Sequence, residues 1–146
     1  AAWLNSSAGE VQPRSRHKRQ DNSKGEKMKP SFSSHVCPGD FVMFEHGKFD
    51  FKVRLEFDDI STPYDFDCYD KFDIERWKNG EWFYGGLVVS AWYNGFQLSE
   101  HITSLWGIEC NFVNNNHLTE CAGELLEEAI EEAMEFLKNA RAKLAA

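Results

Sequence analysis

The amino-acid sequence predicts an α+β domain: a four-stranded antiparallel sheet of two hairpins, packed by one long C-terminal helix and preceded by a disordered basic N-terminal segment. Three observations carry this. Residues 49–58 alternate strictly between apolar and polar, Asn94-Gly95 separates two β-rich runs, and apolar spacing changes to three and four from Leu118 onward. The chain has 146 residues, with 5 Trp, 4 Tyr and 12 Phe. That is enough for one domain whose core needs no metal or disulfide staple. No apolar run approaches the roughly 20 residues of a membrane-spanning helix, and no secretory-signal pattern is present.

Residues 1–30 differ from the rest. They are polar, without apolar periodicity, and carry seven basic against three acidic side chains, whereas residues 31–146 carry nine against 21, a net charge of −12. Such a stretch cannot bury enough apolar surface to offset its ordering entropy, so disorder is expected over 1–30 and a single α+β domain over 31–146. A basic arm could grip an anionic partner. A simpler reading starts from Met28, the first methionine. Lys24-Gly25-Glu26-Lys27 back-translates to something like a bacterial ribosome-binding sequence, so translation is expected to start at Met28, leaving 1–27 as read-through or cloning-derived residues.

In the first hairpin, the run Phe41–Phe44 leads through a His46-Gly47 turn to a strand that presents Phe49, Phe51, Val53, Leu55 and Phe57 on one side. Asp50, Lys52, Arg54, Glu56 and Asp58 occupy the other. Period two predicts one buried and one solvated face. The acidic stretch 58–80 predicts turns and a short helix around 72–78, stopped by Asn79-Gly80. The second hairpin runs from Glu81 through Asn94-Gly95, a type I′ turn signal, and returns to Glu109. Gly85-Gly86 inside its first strand predicts a bulge or a close approach. The final helix aligns Leu118, Cys121, Ala122, Leu125, Ala129, Ala133, Phe136, Leu137 and Ala140, with Asn116 as N-cap. Its glutamates come early and Lys138, Arg141 and Lys143 late, which suits the helix dipole.

Two segments, Trp82-Phe83-Tyr84-Gly85-Gly86-Leu87-Val88-Val89 and Ser104-Leu105-Trp106-Gly107-Ile108-Glu109, precede the acidic helix. In this the chain resembles a group of small uncharacterised proteins encoded by bacteriophages and other mobile elements, which pair a W-x-x-G-x-x-V strand with an S-L-W-G-I-E segment. The resemblance covers roughly residues 75–146. It implies a phage or prophage accessory protein in the cytoplasm of a bacterial host. It carries no catalytic residue across, because the group has no assigned activity.

The chemistry-bearing residues form no familiar constellation. Cys37, Cys68, Cys110 and Cys121 include no C-x-x-C pair; Cys110, His117 and Cys121 are the nearest to a ligand set, yet lack the tight knuckle of a structural zinc site. Reduced thiols are expected. Asp58, Asp59, Asp65, Asp67, Asp70 and Asp73 crowd one loop and offer oxygen ligands for a hard cation. Against an EF-hand beginning at Asp65, however, Asp70 stands where Gly is required and Arg76 where the bidentate Glu belongs. A two-metal site would add Lys or His on the next strand, and 82–92 has neither. His17, His35, His46, His101 and His117 join no nucleophile motif, and there is no G-x-S-x-G, phosphate-binding glycine loop or H-E-x-x-H. No cofactor, metal ligand or catalytic residue is assigned, and the chain is not expected to be an enzyme.

The expected activity is binding to a protein. Trp82, Phe83 and Tyr84 cannot all lie on one side of a strand, so Trp82, Tyr84 and Trp92 are candidates for an aromatic patch on the uncovered face. Glu124, Glu127, Glu128, Glu131 and Glu135 are candidates on the outer side of the helix, where a carboxylate array could imitate a phosphate backbone and occupy a nucleic-acid-binding surface. A domain at −12 repels polyanions, so nucleic acid is not an expected ligand of the folded part. Two alternatives stand beside this: a divalent-metal-dependent hydrolase using the 58–73 loop, and a self-assembling component, such as a homodimer sealed by edge strands.

Overall fold

The computed structural model describes residues 31–145; the expectations for the basic leader and for Met28 fall outside them. Strands β1 (Phe41–His46), β2 (Phe49–Phe57), β3 (Phe83–Tyr93) and β4 (Phe96–Cys110) form one antiparallel sheet in the order β1-β2-β3-β4. A 3₁₀ turn (Pro63–Asp65) and helix α1 (Lys71–Lys78) lie between the hairpins, and helix α2 (Asn116–Ala145) follows the sheet. The α+β architecture therefore matches the pattern of periods, with one short helix beside the long one.

The turns form for local reasons. Asn94 and Gly95 both take positive φ, 53° and 88°, as a type I′ hairpin requires. The first hairpin turns at Gly47-Lys48, with Gly47 at φ 62°. Asp70 caps α1 by accepting from the Asp73 amide, while the Asp73 side chain accepts from the Asp70 amide. Helix α2 already includes Asn116, so the expected cap is displaced. The residue before it, Asn115, is buried, accepts from the Asn111 amide and donates to the Ser33 and Ser34 carbonyls. With Asn111, which exchanges two hydrogen bonds with the backbone of Val36, it ties residues 33–36 to the start of α2.

One face of the sheet is the main core. Phe49, Phe51, Val53 and Leu55 of β2 sit opposite Tyr93, Ala91, Val89 and Leu87 of β3, and Leu118, Cys121, Ala122, Leu125, Leu126, Ala129 and Ala133 of α2 pack on them. The apolar stripe fades toward the helix end: Leu137 is half-buried and Phe136 is exposed, contrary to its expected core position. A 30-residue helix is about 45 Å long, and its last turns meet only the rim of the sheet, where Arg141 donates to the Tyr93 hydroxyl at 3.3 Å.

Strands β2 and β3 pair without a break, but β4 uses 15 residues to pass 11 of β3. Register shifts fall between Gly85 and Leu87, Val89 and Ala91, and Ala91 and Trp92. The extra residues lie in β4, and such bulges bend a strand and sharpen its twist. Gly85-Gly86 marks one of them. A Cβ at Gly86 would stand 2.0 Å from Trp106 Cε3, so the ring closes directly over this glycine.

The second face departs from the expected solvated surface. Asp50 and Lys52 of β2 are buried, as are Met43, Ser90 and Trp92. At one end the connection between the hairpins folds back over Trp82 and Tyr84. The Trp82 indole donates to the Asp73 carbonyl at 2.9 Å, and the Tyr69 and Phe112 rings lie 5.2 and 4.9 Å from it. Arg76 closes the cluster by donating to the Phe112 carbonyl at 2.8 Å.

Candidate functional site

Bending of the bulged sheet leaves a hollow of about 450 Å³ on the second face. Lys52, Arg54 and Glu56 of β2, Ser90 and Trp92 of β3, and Gln97 of β4 line it. Period two places the β2 residues on a common side, and the pairs Lys52–Ser90, Asp50–Trp92 and Trp92–Gln97 bring the neighbouring strands into register with them.

The two cations in the hollow differ. Arg54 is satisfied: Nε donates to Glu56 at 2.7 Å, and Nη1 donates to the Ser90 hydroxyl at 2.7 Å and to the Glu100 carbonyl at 3.2 Å. The Ser90 hydroxyl donates in turn to the same carbonyl at 2.7 Å. The bulged path of β4 supplies that inward carbonyl. Lys52 is only 4 % exposed, and its ammonium lies 4.5 Å from the centre of the Phe41 ring. Burial, and then the nearby Arg54 guanidinium, lower its pKa below that of a free lysine.

Beside this hollow, and sharing Phe57 with it, is an open apolar groove of about 380 Å³. Phe57, Ile60 and Trp106 line it and are 55, 83 and 44 % exposed. Asp58 holds the groove's floor. Its carboxylate accepts from the Ile60 amide at 2.9 Å, the Ser61 amide at 3.1 Å and the Ser61 hydroxyl at 2.8 Å. Burial alone would push this carboxyl up, but these bonds and the Gly107 amide outweigh it and hold its pKa below the usual range. The two motif segments meet here: Tyr84 pairs with Glu109, Gly85 with Ile108 and Leu87 with Leu105.

The residues expected to bind a partner do not form one surface. Trp82, Tyr84 and Trp92 are 0, 2 and 6 % exposed, so the expected exposed patch of these three rings is absent. The parity argument holds, since Phe83 packs toward the α2 core while Trp82 and Tyr84 meet edge to face on the other side. The segment between the hairpins covers that side, and its aromatic residues supply the cover. Glu124, Glu127, Glu128, Glu131 and Glu135 remain exposed along α2, and Glu128 accepts from Thr103 of β4 at 3.0 Å. They lie across the sheet from the hollow.

The crowded carboxylates of 58–73 largely serve local structure. Asp58 caps its own turn, Asp65 accepts from Thr62, and Asp70 and Asp73 cap α1. Among the described residues, no three His, Cys, Asp or Glu side chains converge as a metal site would need. His117 does approach Cys121, with Nε2 at 3.5 Å from Sγ, while burial pushes the Cys110 thiol up to about 12. Cys37 and Cys68 are exposed. Tyr69 donates to Glu109, and burial followed by that bond pushes its pKa far up. The neighbouring Tyr84 hydroxyl is buried without a hydrogen-bond partner among the described residues. No described helix is long and apolar enough to cross a membrane.

Lys52 and Arg54 escaped sequence reasoning as site residues because alternation assigned them to water. Ile60 lies inside the acidic loop, and Trp106 enters the sequence reading as part of the Ser104–Glu109 segment. The available signal was Gly86: a glycine in a β-rich run asks what occupies the missing side chain's place. No protein-family model, curated protein or solved structure matches the chain.

Proposed function

We propose that the protein works without catalysis, as a small acidic accessory protein that docks on another protein through the Phe57–Ile60–Trp106 groove. The observation that carries this is the contiguous exposure of three large apolar side chains around one groove. Exposed apolar patches usually mark contact surfaces, and aromatic anchors dominate their energetics.

Charge supports a basic partner. The −12 of residues 31–146 and the α2 carboxylates would speed encounter with a positive surface and repel a polyanion. A nucleic-acid-binding protein of a bacterial host offers such a surface. The likeness of 82–89 and 104–109 to phage-encoded proteins is what suggests the host as its source.

Affinity capture from a bacterial lysate tests the reading with four baits: the full chain, Ile60→Asp, Trp106→Ala, and a form with Glu124, Glu127, Glu128, Glu131 and Glu135 changed to Gln. The full chain should hold a defined protein that both groove variants lose. The Gln form should hold it more weakly, with less dependence on salt. An empty capture, or equal retention by all four baits, rejects the proposal.

A further inference from the structure

We propose that the Phe57–Ile60–Trp106 groove takes an arginine side chain of its partner, with the guanidinium lying on the outer face of the Trp106 ring and pairing with Asp59. This rests on the docking reading above and names the residue that reading leaves open.

Trp106 is held as a fixed platform. Leu105 pairs with Leu87 and Ile108 with Gly85, so Trp106 and Gly107 share the one position opposite Gly86. A bulge of this kind re-aims a side chain, and Gly107 takes the positive φ of 79° that the path requires. The ring closes against Gly86. Its Nε1 donates to the Ser104 hydroxyl at 3.2 Å, and that hydroxyl also meets His101 Nε2 at 2.9 Å. One face and the polar edge are therefore occupied, yet the residue stays partly exposed. What it offers a ligand is its other face, and an aromatic face attracts cations.

The charge beside this ring is negative. The six residues lining the groove include Asp58 and Asp59 and no base. Asp58 accepts from the Ile60 and Ser61 amides and the Ser61 hydroxyl, while Asp59 is exposed and makes no hydrogen bond or ion pair with the described residues. Arg54, the cation in the adjoining hollow, is held by Glu56 at 2.7 Å.

Arginine satisfies both features at once. Its stem can lie along the apolar surface of Phe57 and Ile60. Its guanidinium is planar, stacks on aromatic rings and is more weakly hydrated than an ammonium. Lysine brings the charge without the plane, and leucine fills the groove without answering Asp59.

The full chain is titrated with capped Gly-Ser-X-Ser-Gly peptides in which X is arginine, lysine, citrulline or leucine. The readouts are the NMR signals of the Trp106 indole and the Ile60 methyl groups. The arginine peptide should shift both along one saturating curve with a midpoint of roughly 1–10 mM. Citrulline, of the same shape without charge, should bind at least about fivefold more weakly, and lysine and leucine at least about threefold. Asp59→Asn should weaken arginine by about two- to fivefold and leave leucine unchanged. Trp106→Leu, followed at Ile60, should erase the preference for arginine over lysine. Should Trp106→Leu fail to fold, the arginine–citrulline difference and Asp59→Asn still decide. Equal binding of citrulline or leucine, indifference to Asp59→Asn, or no saturable shift overturns the assignment. An empty lysate capture rejects the docking reading; a retained capture with leucine preferred rejects only arginine as its anchor.

Discussion

The two faces of the sheet are built from the same strands under different rules. On the α2 face, Phe51, Val53 and Leu55 meet Ala91, Val89 and Leu87 and are sealed by a helix whose stripe repeats at matching intervals. On the opposite face, Lys52, Arg54 and Ser90 are covered piecemeal by Phe41, by the Glu100 carbonyl and, toward Gly86, by Trp106. The first face is close-packed and apolar, so its energy lies in dispersion and removal from water. The second contains polar groups whose contribution depends on whether each finds a partner. A continuous layer makes a core; an interrupted one leaves hollows where chemistry can occur.

That contrast can be broken first where it is strongest. Leu55→Ala removes a fully buried side chain between α2 and Gly85 and should cost about 3–5 kcal/mol, read from chemical denaturation. A loss below about 1 kcal/mol would mean the α2 face is not the main core. Gly86→Ala should cost about 1–3 kcal/mol, because a Cβ 2.0 Å from the Trp106 ring forces the ring away. The Trp106 fluorescence should change with it, and Gly86→Ala in a Trp106→Ala background should cost much less.

Asp58→Ala should cost about 1–2 kcal/mol at neutral pH, since the Ile60 and Ser61 amides lose their acceptor. Because the folded Asp58 pKa lies below its unfolded value, its contribution is fully present above about pH 4 and is lost as pH falls through the folded value. Acid melts of the unaltered and Asp58→Ala proteins should therefore converge.

Lys52→Met has the smallest effect and, on stability, the opposite sign to Asp58→Ala, although both groups make stability rise with pH. The folded pKa of Lys52 is lowered by burial and then by Arg54, so between that value and the free-lysine range near pH 10.4 the unfolded chain binds more protons and stability rises with pH. Lys52→Met should be neutral to about 1 kcal/mol stabilising at pH 7 and should remove this alkaline rise. A strongly destabilised Lys52→Met would place Lys52 in a structural pair and dissolve the distinction between the faces.

Much of the fold was legible because it is encoded locally. Asn94-Gly95 specifies its turn through positive φ, the alternation 49–58 specifies a strand, and Asn79-Gly80 specifies the end of α1. The long helix follows from its spacing, though Phe136 outruns the sheet that was to bury it. The candidate site was far less legible. Trp82 and Tyr84 were rightly set apart from Phe83, but their burial depends on Tyr69, Phe112 and α1 arriving from elsewhere in the chain.

By itself, the sequence determined the strands, their turns, the two helices and which side chains share a side, because each depends on φ, ψ and spacing over a few residues. Tertiary structure alone decided what covers each side. A period of two separates Lys52 from Val53 but does not say that both are buried, Val53 in the core with α2 and Lys52 against the Phe41 ring, nor that the 58–82 connection closes over Trp82. Burial is a sum over distant segments, and no local pattern contains it.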